Sequence, residues 1–113
     1  MRHDNALLLD MLLAAREAQG IARGATFSDF RQNRTLQLAI LKAVEIVGEA
    51  ASRVSAESRN LNPEIPWADI VGMRNRLVHG YFDVNLVRVW ETVERDIPRL
   101  IVQLEGLVSE EPS

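Results

Sequence analysis

An all-α bundle of four helices in one domain is the fold this sequence predicts. Three observations carry that prediction. Apolar residues recur at three- and four-residue spacing through most of the chain, and no stretch alternates as a strand does. Aromatic residues are only 5% of the composition, so leucine, valine, isoleucine and alanine must build the core, a mix that favours helices. The connections are short, and 113 residues fit one packed core rather than two.

The first helix is expected over residues 4 to about 22. Leu7, Met11, Ala14, Ala18 and Ile21 form one stripe, with Leu8, Leu12 and Ala15 beside it. Gly20 and Gly24 weaken its end before Thr26. Thr26 followed by Asp29 reads as a capped start. From there a second, long helix is expected to run to about Ala56, burying Leu36, Ile40, Ala43, Val47, Ala50 and Val54. Gly48 interrupts this pattern at a cost of about 1 kcal/mol relative to alanine. Close approach of another helix would explain it. Glu45, Glu49 and Arg53 share one face, which spacing alone reads as solvated with one ion pair.

Residues 57–66 read as a loop, punctuated by Pro63 and Pro66 and carrying Asn60 and Asn62. Pro66 opens a third, short helix from about Trp67 to His79, with Ile70, Met73 and Leu77 inward and Gly80 as its stop. Its shortness suggests that it closes one end of the bundle. Asp83 or Asn85 caps a fourth helix. Leu86, Trp90, Val93, Ile97, Leu100, Leu104 and Leu107 keep one stripe through Pro98, which means a kinked helix or two short helices end to end. Residues 1–108 form the domain, and Ser109 to Ser113 read as a disordered tail.

Composition narrows the function classes. There is no cysteine, which removes disulfides and thiolate metal sites and points to the cytoplasm. Neither a signal peptide nor a membrane-spanning run is evident. The net charge of −3 argues against nonspecific coating of nucleic acid but permits a local basic groove. Arginine supplies all the basic residues except Lys42, a bias that codon composition explains more simply than selection for phosphate binding.

The chemistry concentrates in Arg74-Asn75-Arg76-Leu77-Val78-His79-Gly80-Tyr81. A guanidinium fork matches two phosphate oxygens, and an imidazole moves protons near neutral pH. Together they are the minimum equipment for cutting RNA without a metal. On a straight helix, however, Arg74 and His79 lie about 140 degrees apart. Either the helix bends His79 round at Gly80, or a two-fold axis sets Arg74 of one chain against His79 of another. Residue types alone favour a plainer account: a histidine stabilised by the helix dipole, surface arginines and a core tyrosine. His3 reads as solvated, Trp67 and Trp90 as core or interface anchors. No acidic cluster has metal-ligand spacing, and neither a phosphate loop nor a serine or cysteine nucleophile motif is present.

Arg74, His79 and Tyr81, spaced Arg-x4-His-x-Tyr, resemble the signature of HepT-like toxins in the HEPN superfamily. Ala43-Val-Glu-Ile-Val-Gly-Glu-Ala-Ala51 is similar to that family's long-helix segment. Ile65-Pro66-Trp67 with Gly72-Met73-Arg74-Asn75 resembles its approach to the motif, and Asp96-Ile97-Pro98-Arg99-Leu100 its last helix. The resemblance spans roughly residues 4–105. It implies an all-α, HEPN-like bundle of four to five helices, dimeric, with an active cleft at the interface. It implies a metal-independent endoribonuclease without cofactor, the toxin of a toxin–antitoxin pair. Arg74, His79 and Asn75 would be catalytic, Arg76 a looser RNA or phosphate contact, and no residue a metal ligand. The implied partners are RNA and a minimal nucleotidyltransferase antitoxin, in a homodimer or a larger hetero-oligomer. That antitoxin would silence the toxin by transferring AMP to Tyr81. The competing class is a non-catalytic helical module that docks a nucleotidyltransferase or a nucleotide.

Overall fold

The structure is a computed structural model that describes residues 2–80 and 84–108. Among these residues the chain is all-helical: α1 Arg2–Ala22, α2 Phe27–Gln32, α3 Arg34–Arg53, α4 Ala56–Leu61, α5 Trp67–His79, α6 Leu86–Glu91 and α7 Ile97–Glu105. A π-helical turn, Thr92–Asp96, joins α6 to α7. Tyr81, Asp83 and the tail from Ser109 lie outside the described residues, so the expectations for them concern positions the structure leaves aside.

Polar side chains set the starts of four of these helices. Thr26 and Asp29 form a reciprocal capping box: the Asp29 amide donates to Thr26 Oγ1 at 3.1 Å, and the Thr26 amide to Asp29 Oδ2 at 2.9 Å. The expected single helix from Thr26 to Ala56 is in fact two. Asn33 breaks it in an extended conformation and caps α3, accepting from the Leu36 amide at 3.0 Å. A short amide side chain competes with the helical backbone in this way. Gln37, nearly buried, stabilises the break by donating from Nε2 to the Phe30 and Arg31 carbonyls, both at 3.0 Å.

The expected loop over 57–66 also contains a helix. Ser55 caps α4 through the Ser58 amide, and Arg59 reaches back to the Ala51 and Val54 carbonyls that end α3. Asp4 ties α1 to this corner. It accepts from the Ser55 hydroxyl, the Ser55 amide and the Ser58 hydroxyl at 2.7, 3.0 and 2.7 Å. These bonds, the Ser55 hydroxyl first, hold the Asp4 carboxyl down to about 2.

Asn85 caps α6 through the Arg88 amide at 3.1 Å. The stripe through Pro98 is one rod with a wide turn. Pro98 has no N–H, and its ring would clash with the carbonyl of residue 94 in a regular helix. The π turn relieves that clash, with the Ile97 amide donating to the Thr92 carbonyl.

The core lies between α1, α3 and α7 at one end and α2, α3 and α6 at the other. Met11, Leu12, Ile65 and Leu104 are sealed in the first part. Phe30, Ile40, Leu41 and Leu77 fill the second, where the Phe30 and Trp90 rings sit 5.2 Å apart. Both tryptophans are core residues: Trp67 donates from Nε1 to the Asn62 carbonyl at 3.0 Å. The short α5 does not close an end of the bundle. It runs along the flank of α3, with Trp67 and Ile70 in one part of the core and Met73 and Leu77 in the other. This placement puts the motif helix on the surface with one face free. No helix among the described residues is long and apolar enough to cross a membrane.

Candidate active site

The site is organised by the crossing of α5 over α3. Gly48 is the point of contact. A Cβ added there would overlap the Arg74 Cβ, lie 2.8 Å from Arg74 Cγ and 3.2 Å from the Ile70 carbonyl oxygen. The close approach expected from this glycine is therefore real, and the residue that approaches is Arg74. The missing side chain on α3 is the seat of the Arg74 stem.

Glu49, the next residue, fixes the head of that arginine. Its Oε2 lies 2.6 Å from Arg74 Nη2. Arg74 Nη1 donates to Asn75 Oδ1 at 3.1 Å. The solvated reading of the Glu45–Glu49–Arg53 face is thus corrected at Glu49, whose partner lies across the helix crossing. Glu45 contributes a long contact of 3.8 Å to Lys42. A guanidinium has five N–H donors in a planar fork. Glu49 and Asn75 engage two of its edges, while Nε is buried without a partner among the described residues. Arg74 is therefore held in place with donors to spare.

Asn75 and His79 stand on the outward face of α5, both exposed. The helix stays regular to its end, where the Gly80 amide donates to the Arg76 carbonyl at 2.9 Å. A bent helix end that swings His79 round to Arg74 is not what the structure shows. Within one chain the two groups remain about 140 degrees apart around α5. His79 has no hydrogen-bond or ionic partner among the described residues. Arg76 projects from the opposite flank to Arg74, its Nη1 lying back over Gly72. His3 is exposed at the far end of α1.

The structure thus joins Arg74 to Asn75, leaves His79 free on the neighbouring surface, and sets Arg76 apart from both. Glu49 is the residue that sequence reasoning missed. Its four-residue spacing to Glu45 and Arg53 pointed along α3, while its real partner is distant in sequence. Gly48 was the available signal, because a helix crossing there brings a partner to Glu49 as well.

Comparison with known proteins bears on this arrangement. Residues 11–107 match the family described as Ribonuclease HepT-like. The chain belongs to the HepT-like ribonuclease family. A relative from Thermococcus cleftensis, named "Probable ribonuclease HepT", is 37% identical over 100 residues, covering 88% of this chain and 91% of its own. A "Putative RNase" of Methanocaldococcus jannaschii is 31% identical over 104 residues, covering 92% and 95% respectively. Another "Putative RNase", from Caldanaerobacter subterraneus, is 37% identical over 89 residues, 79% of this chain and 80% of its own. No solved structure matches the chain. The ribonuclease family expected from the motif is the one these relationships show.

Proposed function

We propose that this HepT-like chain is a metal-independent endoribonuclease whose catalytic groups are Arg74 and His79, brought together by a two-fold dimer. The observation that carries the proposal is the state of Arg74. An arginine seated against a glycine, braced by a carboxylate and left with a second N–H on each terminal nitrogen is a preorganised oxyanion clamp. The separation of Arg74 and His79 around a regular helix supports the dimer, because two chains can bring together what one holds apart. The outward face of α5 suits self-association, since Ala68, Gly72 and the 40%-exposed Val78 leave it short-chained and partly apolar around His79.

In this mechanism RNA supplies its own nucleophile. His79 of one subunit takes the proton from a 2′-hydroxyl, whose oxygen attacks the adjacent phosphorus. Arg74 of the other subunit stabilises the negative charge that accumulates on the phosphoryl oxygens. Asn75 shares its amide between Arg74 and the incoming phosphate or imidazole. The bond from phosphorus to the 5′-oxygen breaks, and a histidine returns a proton to that oxygen. The products are a 2′,3′-cyclic phosphate and a free 5′-hydroxyl. Symmetry supplies two histidines, one for each proton transfer.

The biological setting proposed is a toxin restrained by a minimal nucleotidyltransferase antitoxin. The Tyr81 phenol oxygen attacks the α-phosphorus of ATP, pyrophosphate leaves, and AMP remains on the tyrosine. Tyr81 follows His79 by two positions, so the attached nucleotide would fill the site with bulk and negative charge.

The test is cleavage of total RNA by purified protein in the presence of a chelator. Wild type is expected to cut, and Arg74→Ala and His79→Ala to lose cleavage while remaining folded and dimeric. Undiminished cleavage by His79→Ala would remove that residue from the mechanism. An inactive wild type that still binds a nucleotidyltransferase would make the chain a docking module.

A further inference from the structure

We propose that the groove between α5 and the α6–α7 rod holds a second phosphodiester of the RNA strand, gripped by Arg76 and Arg88. This inference rests on the ribonuclease reading above and adds a binding subsite to it.

The groove has a volume of about 260 Å³. It exists because α5 lies on α3 while the rod lies on α1 and α2, leaving part of α3 uncovered between them. Val44 and Val47 of α3 and Met73 of α5 make an apolar floor. Arg76 on one wall, and Arg88 and Arg99 on the other, supply three guanidiniums. Asp69 and Asp96 line the same groove. Yet none of the three guanidiniums has an ionic or hydrogen-bond partner among the described residues. Opposite charges lining one groove without pairing leave their hydrogen-bonding capacity open to a guest.

The chemistry of the lining selects that guest. Arginine forks match the paired oxygens of a phosphodiester. An apolar floor accepts the face of a base, and carboxylates accept from base amino groups. The volume lies just under the range of small-molecule pockets, roughly 300–1,000 Å³, so it fits one nucleotide unit.

Position selects a strand that also passes the catalytic face. Arg76 and His79 lie about 60 degrees apart around α5. Arg74 lies on the far flank, against Glu49. A strand crossing His79 towards Arg76 drops into the groove. The groove also accounts for nucleic-acid binding by a chain of net charge −3, because the cations are gathered where the strand runs.

The experiment measures binding of a fluorescent single-stranded RNA of mixed sequence to His79→Ala protein, which leaves the strand intact. Titrations at several salt concentrations compare added Arg88→Ala, Arg76→Ala with Arg88→Ala, and Arg95→Ala. Arg95 is exposed on the same rod but does not line the groove, and serves as the control. Arg88→Ala should weaken binding about five- to tenfold and lower the salt slope by about 0.7. The double variant should weaken it further, and Arg95→Ala should match the parent. All the substituted side chains are exposed, and unchanged circular dichroism confirms the fold. If wild type cuts RNA while Arg88→Ala binds it as well as Arg95→Ala does, the groove proposal fails and the ribonuclease reading stands. If the unmodified chain neither cuts nor binds RNA, both fail. If Arg88→Ala loses only its grip on the nucleotidyltransferase, the groove is a protein-docking surface and the proposal is overturned.

Discussion

Arg74 occupies the space that a side chain on Gly48 would need. A Cβ at residue 48 would stand 2.8 Å from Arg74 Cγ and 3.2 Å from the Ile70 carbonyl oxygen. One of those neighbours is backbone, so the helix crossing itself must open to admit a methyl group. Gly48→Ala gains about 1 kcal/mol of helix propensity. Overpacking at such a contact costs about 1–3 kcal/mol. The variant should therefore be modestly destabilised in thermal or urea unfolding. Its RNA cleavage should fall at least tenfold, because the group displaced is the proposed anion clamp. Unimpaired cleavage would show that the seat of Arg74 does not matter to the chemistry.

In the proposed mechanism Glu49 positions Arg74, with which it is paired at 2.6 Å. The pair is half-exposed, so its contribution to stability is expected within about 1 kcal/mol. Its proposed contribution to catalysis is geometric. Glu49→Gln keeps the shape and removes the charge, and should lower kcat about tenfold or more with little change in unfolding. Glu49→Asp should recover part of the loss. A change confined to KM, or equal loss in both variants, would point instead to a direct RNA contact or to general disruption.

Gly48 also shows how much of this architecture the residues announce. A glycine inside a strong helical stripe needs a reason, and the reason expected, a close helix crossing, is the one found. The start of α2 at Thr26 and the Asn85 cap were equally legible, because each is written in a local side-chain hydrogen bond, and the span of α5 was legible from Pro66 before it and Gly80 after it. The break at Asn33 was hidden because a single polar residue on the exposed side of a stripe does not interrupt its phase. The signal was Asn33 together with Gln37, whose amide satisfies the end of α2. Helix α4 was hidden for another reason: it buries no residue, so it carries no apolar stripe. The Glu49–Arg74 pair and the Arg76–Arg88 groove depend on which flank of α5 meets α3. Periodicity sets that flank only once the partner helix is known.

The Asp4 corner makes stability depend on acidity. Its carboxyl is held below its ordinary value by donors that exist only in the fold, so the charged form is favoured when folded. The stabilisation is complete above the unfolded value near 4 and is lost as pH falls towards about 2. Asp4→Asn should lower Tm at pH 7 and flatten the fall in Tm between pH 4 and pH 2. An unchanged acid profile in the variant would mean that other carboxylates govern acid unfolding.

Tyr81→Phe removes the phenol oxygen and leaves Arg74 and His79 untouched. The variant should cut RNA within about twofold of wild type. Incubated with ATP and the cognate nucleotidyltransferase, it should gain no AMP by intact mass and stay active, while wild type gains AMP and loses cleavage. AMP on the variant would place the acceptor elsewhere.

The two proposed catalytic groups, Arg74 and His79, belong to one site only if two chains share it. The decisive preparation is a heterodimer of one Arg74→Ala chain and one His79→Ala chain, purified through two different tags. Such a dimer holds one site with both groups intact and one with neither. It should recover RNA cleavage, below half the wild-type rate because only one of the two histidines remains, while each parent homodimer stays inactive. A verified heterodimer as inactive as its parents would contradict the shared site and confine the chemistry to a single chain.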